Sequence, residues 1–265
     1  MNMIHSLLFV PGREKMLEKI PASSADAHII DLEDSISQDE KEFALDATIH
    51  FLENHVTENC FIRVDRLLMR EQLLRLKKCQ FRGVMVPKVE DCGFLDECAD
   101  SLANRAVIAL VETPMGLSKI ESIASYPGIM ALAFGAEDYT AATNMQNSEE
   151  VLLFLKSRLV MFGKAYGKKV YDTPSFCIQD VGRADAEAEH SAQLGFDGKM
   201  AIHPKLIPGI RKAFSAYDME SIRKIVNQYE SQNEAILVID GKVYEKMHIA
   251  RFKRILREHN NNGNK

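Results

Sequence analysis

Ala106–Tyr139 reads AVIALVETPMGLSKIESIASYPGIMALAFGAEDY, and its two apolar runs decide the architecture of the chain. The first, Val107–Val111, stops at Glu112-Thr113-Pro114; the second, Ile129–Phe134, stops at Gly135-Ala136-Glu137-Asp138; between them Leu117–Ala124 has helical spacing. Strand, helix and strand of these lengths make a βαβ unit, whose two strands run in one direction. Glu112 and Asp138 therefore arrive at the same end of a parallel sheet, the end where α/β folds bind ligands. Two carboxylates at adjacent strand ends suit a hard cation, because Mg²⁺ takes oxygen ligands and is held by one or two carboxylates with water and substrate. The spacing is equally satisfied if one acid caps a helix and the other is solvated, and spacing alone does not choose.

Outward from this unit the same alternation continues. Ser6–Val10 is a short strand closed by Pro11-Gly12, and Arg13–Ile20 is helical up to Pro21. Ala27–Leu32 is a second strand with Asp31, Glu33 and Asp34 at its exit, followed by the helix Asp39–Asn54. Cys60–Val64 precedes the helix Met69–Lys78, and Gly83–Val86, closed by Pro87-Lys88, precedes the helix Asp91–Leu102. Downstream come the helix Ser148–Tyr166, a short strand Val170-Tyr171 ending in Asp172-Thr173-Pro174, the helix Ala184–Leu194 stopped by Gly195, and the strand Phe196–Ile202 ending at His203-Pro204. Eight strands alternating with helices, in a chain near the roughly 250 residues of the class, predict a (β/α)₈ TIM barrel over residues 1–214, with an open doubly wound sheet as the alternative. The barrel is preferred because Glu33, Asp34, Arg63, Asp65, Lys88, Glu112, Asp138, Asp172 and His203 follow successive strands, and a barrel brings such positions to one mouth. Residues 215–265 read as a C-terminal helical extension: helix Met219–Gln232, strand Ala235–Ile239, turn Asp240-Gly241 and helix Tyr244–Arg257, with Asn260–Lys265 expected to lack fixed structure.

Composition narrows the function classes. The 265 residues are 46% hydrophobic and 27% charged, which fits one large α/β domain with a well-filled core or two small domains. A net charge of -5 without a sustained basic stripe argues against nucleic acid as partner, and Lys246, Arg251, Lys253, Arg254 and Arg257 read as the solvated face of a helix. Five cysteines without zinc-type spacing, and a start too short for a secretory segment, lead us to expect a reducing cytoplasm. No apolar run approaches the roughly 20 residues of a membrane span, and neither GxGxxG nor a Walker-type loop is present.

The motifs LLFVPG, HIIDLEDS, FIRV, VPK, VETPMG, FGAEDY, DTP and GFDGKMAIHPKLI, in this order from Ser6 to about Ala213, resemble those of the citrate lyase β-subunit-like proteins of the HpcH/HpaI aldolase superfamily. The resemblance implies a barrel that assembles into homotrimers or larger oligomers and uses Mg²⁺ to cleave or form a carbon–carbon bond beside a hydroxyl. Implied substrates are malyl-, citramalyl- or citryl-CoA, or free hydroxy acids, yielding a 2-oxo acid and an acetyl group. By the same resemblance Glu112 and Asp138 are metal ligands, and Arg63 grips substrate and stabilises an enolate oxygen. Glu33 and Asp34 are implied to act beside the site by orienting Arg63 or binding metal-bound water, Ala136, Glu137 and Asp138 to offer backbone N–H groups to a carboxylate, and Lys88 to make an electrostatic contact. A Schiff-base aldolase using Lys88 or Lys199 is the rival chemistry, and it needs a lysine with a lowered pKa.

Two departures bear on CoA use: Ile4-His5-Ser6 stands where the family commonly carries a basic residue just before the first strand, and the turn after Pro11-Gly12 is about one residue short, although Lys19 matches. A third concerns Glu245, at the position of an aspartate that in the family enters a neighbouring subunit's site as acid/base; here it lacks the flanking proline. The resemblance thus implies that the extension packs on a neighbouring subunit, while Glu245 as ordinary helix surface remains the other reading. A partner-dependent or non-catalytic subunit working with an acyl carrier is the alternative function.

Overall fold

Eight parallel strands pair in chain order and the last returns to the first, closing a barrel. They are β1 (Ser6–Pro11), β2 (Ala27–Asp31), β3 (Cys60–Arg63), β4 (Gly83–Val86), β5 (Ala106–Val111), β6 (Ala131–Phe134), β7 (Lys169–Asp172) and β8 (Gly198–Ala201). The helices around and after them are α1 (Glu14–Leu17), α2 (Lys41–Asn54), α3 (Met69–Arg75), α4 (Gly93–Glu97), α5 (Ala99–Leu102), α6 (Pro114–Ser118), α7 (Ile120–Ser125), α8 (Ala136–Thr143), α9 (Glu149–Ala165), α10 (Val181–Leu194) and α11 (Ile207–Ser215). This computed structural model describes residues 3–102, 105–215, 219–232 and 234–263. They fall into two units, one spanning Ile4–Phe214 and the other carrying the C-terminal segment from Ser215.

The strands are buried on both faces over most of their length, and their period of two divides the core into two layers. Leu7, Ile29, Phe61, Met85, Leu110, Ala133, Tyr171 and Met200 fill the barrel interior. Residues of the other parity, among them Leu8, Ile30, Ile62, Val86, Ala109, Leu132 and Val170, pack beneath the helices. Continuing the inward parity by one step carries Asp31, Arg63, Glu112, Gly135 and Thr173 to the mouth. The outward parity holds Asp172 and Lys199, which pair across β7 and β8.

Several elements differ from the sequence reading. The helix expected over Arg13–Ile20 ends at Leu17, and Pro21 sits inside a 3₁₀ turn, Ile20–Ala22, where its missing N–H is not needed. The helix expected over Asp91–Leu102 is broken at Cys98 into α4 and α5. The helices α8 and α11 have no counterpart in the sequence reading. In the second unit α12 (Met219–Ser231) is followed by a hairpin of β9 (Ile236–Ile239) and β10 (Lys242–Glu245) and by α13 (Lys246–Gly263). Asp240 and Gly241 both have positive φ, 50° and 74°, as a two-residue hairpin turn requires. Tyr244 and Glu245 are therefore strand residues and not the start of a helix. Asn260–Gly263 lie within α13 instead of lacking structure, and Asn264 and Lys265 fall outside the described residues.

Candidate active site

Arg63, the last residue of β3, is the centre of the mouth. Its Nε and Nη2 donate to Oδ1 and Oδ2 of Asp31, both at 2.7 Å, a fork on a fork. Its Nη1 lies 3.1 Å from both Glu33 and Asp34, and its guanidinium is 5.0 Å from the centre of the Phe9 ring. Burial opposes the charge on Arg63, but Asp31 first, and then Glu33 and Asp34, outweigh it and hold the pKa above its ordinary value. Strand pairing explains the choice of partner: Asp31 and Arg63 are Cα partners on β2 and β3 and share the inward parity. The sequence points to Glu33 or Asp34 as the structural partner of Arg63; both pair with it, but the two-pronged grip comes from Asp31.

Glu33 is held on its other side by Lys88, whose Nζ donates to Oε1 at 2.7 Å. The second oxygen, Oε2, is buried and receives no well-formed hydrogen bond, although Arg63 is within ion-pair distance. Burial raises the Glu33 pKa, and the neighbouring cations offset this only in part. Lys88 itself has φ 51°, a left-handed backbone that costs a non-glycine residue about 1–3 kcal/mol. That conformation aims its N–H at Oε1 of Glu112, 2.9 Å away. The lysine so placed does not meet the needs of Schiff-base chemistry. Burial lowers its pKa, but Glu33, Asp34 and Glu112 more than reverse this and keep it raised.

Glu112 follows β5 and is 2% exposed. Burial, then the charges of Asp138 and Glu33, push its pKa up to about 8. It packs so closely on the next strand that a Cβ on Gly135 would stand 2.5 Å from both Cβ and Oε2 of Glu112. Asp138 is half-buried in the first turn of α8 and does not lie at a bare strand end. Glu137, in the same turn, is exposed and its Oε1 accepts from Asn147 at 2.5 Å. The N–H of Ala136 is given to Thr173 Oγ1 at 3.2 Å, so the backbone donor assigned to Ala136 by resemblance is already engaged, leaving those of Glu137 and Asp138 at the helix start.

Other residues expected at the mouth are engaged in contacts of their own. Asp172 is 0% exposed and points outward, where its Oδ2 accepts from Ser191 (2.5 Å), Lys199 (2.9 Å) and Lys156 (3.1 Å). Lys199 is thereby removed from any aldolase role at the mouth. Asp65 pairs with Lys41 at 2.8 Å. His203 accepts from the N–H of Lys205 and caps a 3₁₀ turn. His5 precedes β1 and so lies at the opposite end of the barrel, stacked on Phe214 with ring centres 5.9 Å apart, where it has no bearing on a ligand at the mouth. Glu245 ends β10 and its N–H donates to His248 Nδ1 at 3.0 Å.

The sequence reading passes over Lys41. It opens α2, is buried, and its Nζ donates to the carbonyls of Leu32 (3.0 Å) and Glu33 (2.5 Å) besides pairing with Asp65. It thus ties the exit of β2, which carries Glu33, to the exit of β3. A lysine in a helical first turn, where the dipole disfavours a cation, is the signal that marks it.

Two carboxylates, one of them raised in pKa by burial and then by the other's charge, form a donor set that Lys88 only partly compensates. Among the described residues no cluster of three or more His, Cys, Asp or Glu is placed to hold an ion. A pair with open positions suits Mg²⁺, which keeps waters and substrate oxygens in its shell, and does not suit a structural zinc. The fold and this mouth define a barrel enzyme of the metal-using type.

The profile of the HpcH/HpaI aldolase/citrate lyase family matches residues 5–204, and the chain belongs to that family. A (3S)-malyl-CoA thioesterase of Cereibacter sphaeroides is 28% identical over 95% of this chain and 93% of its own. The human mitochondrial citramalyl-CoA lyase is 29% identical over 79% of this chain and 70% of its own. Among solved structures, the CitE protein of Mycobacterium tuberculosis in complex with magnesium, acetoacetate and coenzyme A superposes with a TM-score of 0.84 at 27% identity, covering 97% of this chain and 98% of that one.

Proposed function

We propose that this protein is a Mg²⁺-dependent carbon–carbon lyase that cleaves a malyl-, citramalyl- or citryl-type hydroxy-acyl-CoA, or the related hydroxy acid, to a 2-oxo acid and an acetyl group. The observation that carries this reading is the juxtaposition at one mouth of a buried, cation-seeking Glu112 with Asp138 and a guanidinium locked by Asp31. Relatives named for malyl-CoA and citramalyl-CoA, and a neighbour holding magnesium, acetoacetate and coenzyme A, support the substrate class.

Glu112 and Asp138 would hold Mg²⁺, whose chemistry there is Lewis-acid polarisation of the oxo-acid oxygens. Arg63, fixed in plane by Asp31, directs its remaining N–H toward the oxygen that gains charge when the carbon–carbon bond breaks. Glu33, whose raised pKa suits proton exchange, is the carboxylate we assign to take the proton from the substrate hydroxyl, which requires substrate binding to open its Oε2, buried beside Arg63. The bonding pair passes to the acetyl fragment as an enolate, which a proton then converts to the acetyl group. Lys88 keeps Glu33 and Glu112 in register, and the free N–H groups at the start of α8 suit the oxo-acid carboxylate.

Glu245 is read as the proton donor to a neighbouring subunit's site. It shares one face of the hairpin with Ile236, Val238 and Val243, since Glu245 pairs with Ile236 and Val243 with Val238. The three apolar residues are 48%, 60% and 53% exposed, a face suited to covering by another copy. The extension of residues 215–265 is then an arm that completes its neighbour in a homotrimer. Among the described residues no helix is long and apolar enough to cross a membrane, and the five cysteines are free thiols, which supports a cytoplasmic setting.

The test is turnover by the isolated chain with glyoxylate, pyruvate and oxaloacetate, each with and without acetyl-CoA. Condensation is expected with one pair, abolished by chelation and by Glu112→Gln. Activity that survives chelation, or covalent trapping by borohydride, overturns the reading, and activity appearing only with an acyl carrier protein replaces it by the partner-dependent one. Mixing inactive Glu245→Gln chains with inactive Glu112→Gln chains should restore activity if sites are shared between subunits; full turnover by Glu245→Gln alone ends that idea.

A further inference from the structure

We propose that Thr173 is a positioning residue for Asp138, acting as the N-terminal cap that α8 cannot supply for itself. The proposal rests on the reading of Glu112 and Asp138 as the metal pair. Helices ordinarily begin with Ser, Thr, Asp or Asn, whose side-chain oxygen takes one of the unpaired N–H groups of the first turn. Three helices of the barrel do so: Thr113 caps α6, Ser148 caps α9 and Asp180 caps α10. The cap position of α8 is Gly135, with φ -103° and ψ 91°, and it offers no side chain.

The reason lies in the neighbouring acid. The backbone at Gly135 is already in a region open to any residue, so conformation does not demand glycine. The space does, because a Cβ there would stand 2.5 Å from Cβ and Oε2 of Glu112. Any residue with a capping side chain at 135 would displace the carboxylate. The acceptor comes instead from across the sheet: Thr173 Oγ1 receives the Ala136 N–H at 3.2 Å, over a sequence separation of 37. Thr173 is 6% exposed and Ala136 0%, so no water replaces this bond when it is lost.

Thr173 is itself fixed from behind. Its neighbour Asp172 ends β7 and is clasped between Lys199, Lys156 and Ser191 in the layer outside the barrel. A rigid strand end therefore holds the amide two residues before Asp138, and the direction of the Asp138 carboxylate follows from the orientation of that first turn. This is the outer-shell control that in metal sites is typically worth roughly 10–100-fold in affinity.

Thr173→Val keeps the shape and removes the acceptor; Thr173→Ser keeps the acceptor, and Thr173→Ala serves if the valine chain does not fold. The readouts are Mn²⁺ binding by calorimetry, exchange of the Ala136 amide by NMR, and the melting temperature. The valine chain should bind Mn²⁺ at least roughly 10-fold more weakly and exchange the Ala136 amide faster, with serine restoring both. Unchanged exchange in the valine chain overturns the cap, and unchanged Mn²⁺ affinity despite faster exchange overturns the link to Asp138. So does equal weakening in valine and serine chains that merely tracks the melting temperature. Wild-type protein that binds no Mn²⁺ in a Glu112-dependent manner sinks the metal reading and the role at Asp138 with it, while the exchange data still decide whether Thr173 caps α8.

Discussion

Glu112 and Asp172 are both carboxylates at strand ends of the same barrel, exposed by 2% and 0%, yet their surroundings drive them in opposite directions. Burial raises the pKa of each. At Glu112 the charges of Asp138 and Glu33 add to it and carry the value to about 8. At Asp172 the charges of Lys199 and Lys156 and the hydroxyl of Ser191 overcome it and bring the value down to about 2. One region is compensated from within; the other is surrounded by like charge, which is why we propose it as the cation site. Burial alone therefore does not separate Glu112, proposed for function, from the structural Asp172, whereas the sign of the charge around each does.

The largest effect should come from breaking the compensated side. Asp172→Asn leaves two buried ammonium groups without their shared partner and should cost about 3–5 kcal/mol in urea unfolding. Glu112→Gln, by contrast, should cost no stability in chelator-treated protein, because it removes a repelled charge. Equal losses would erase the distinction between the two regions.

Next in size is Arg63→Lys. Lysine keeps the charge but cannot grip both oxygens of Asp31, and turnover should fall by ~10²–10³ while Mn²⁺ affinity holds. Unchanged turnover would remove Arg63 from the chemistry.

A smaller effect sharpens the reading of Glu112. Mg²⁺ at about 100 times its dissociation constant should stabilise the wild-type chain by about 2.7 kcal/mol and the Glu112→Gln chain by nothing comparable. A similar gain in both chains would place the ion elsewhere.

The smallest effect is confined to acid. The folded pKa of Asp172 lies below its ordinary 3.8, so its contribution is fully present above that value and is lost as the pH falls toward about 2. Melting temperatures between those limits should rise with pH in the wild-type chain and show less of that rise in Asp172→Asn.

Much of the barrel is legible in the order of residues. The strand ends at Val86 and Val111 follow from apolar runs bounded by polar or proline residues, Gly83–Val86 agrees residue for residue between sequence and structure, and β3 ends at Arg63, one residue before the expected Val64. The helix α8 escapes a reading of the sequence because its cap position, Gly135, offers no side chain, and the close approach of Glu112 that excludes one, like the Thr173 acceptor, is remote in sequence. Tyr244 and Glu245 read as helix because the helical pattern of the following segment runs up to them, whereas pairing with Leu237 and Ile236 draws them into a strand.

The sequence by itself determined the alternation of strands and helices, and with it the fact that Arg63, Glu112 and the acids after β2 share one end of a barrel, because parallel βα units leave no other arrangement. Only the tertiary structure decided which acid holds Arg63, that Asp172 faces the helices, and that Thr173 caps a helix on another strand. Each depends on the parity at which a side chain leaves its strand and on which neighbour stands beside it there. A change of one residue in register reverses the first, and the side-by-side pairing of consecutive strands sets the second.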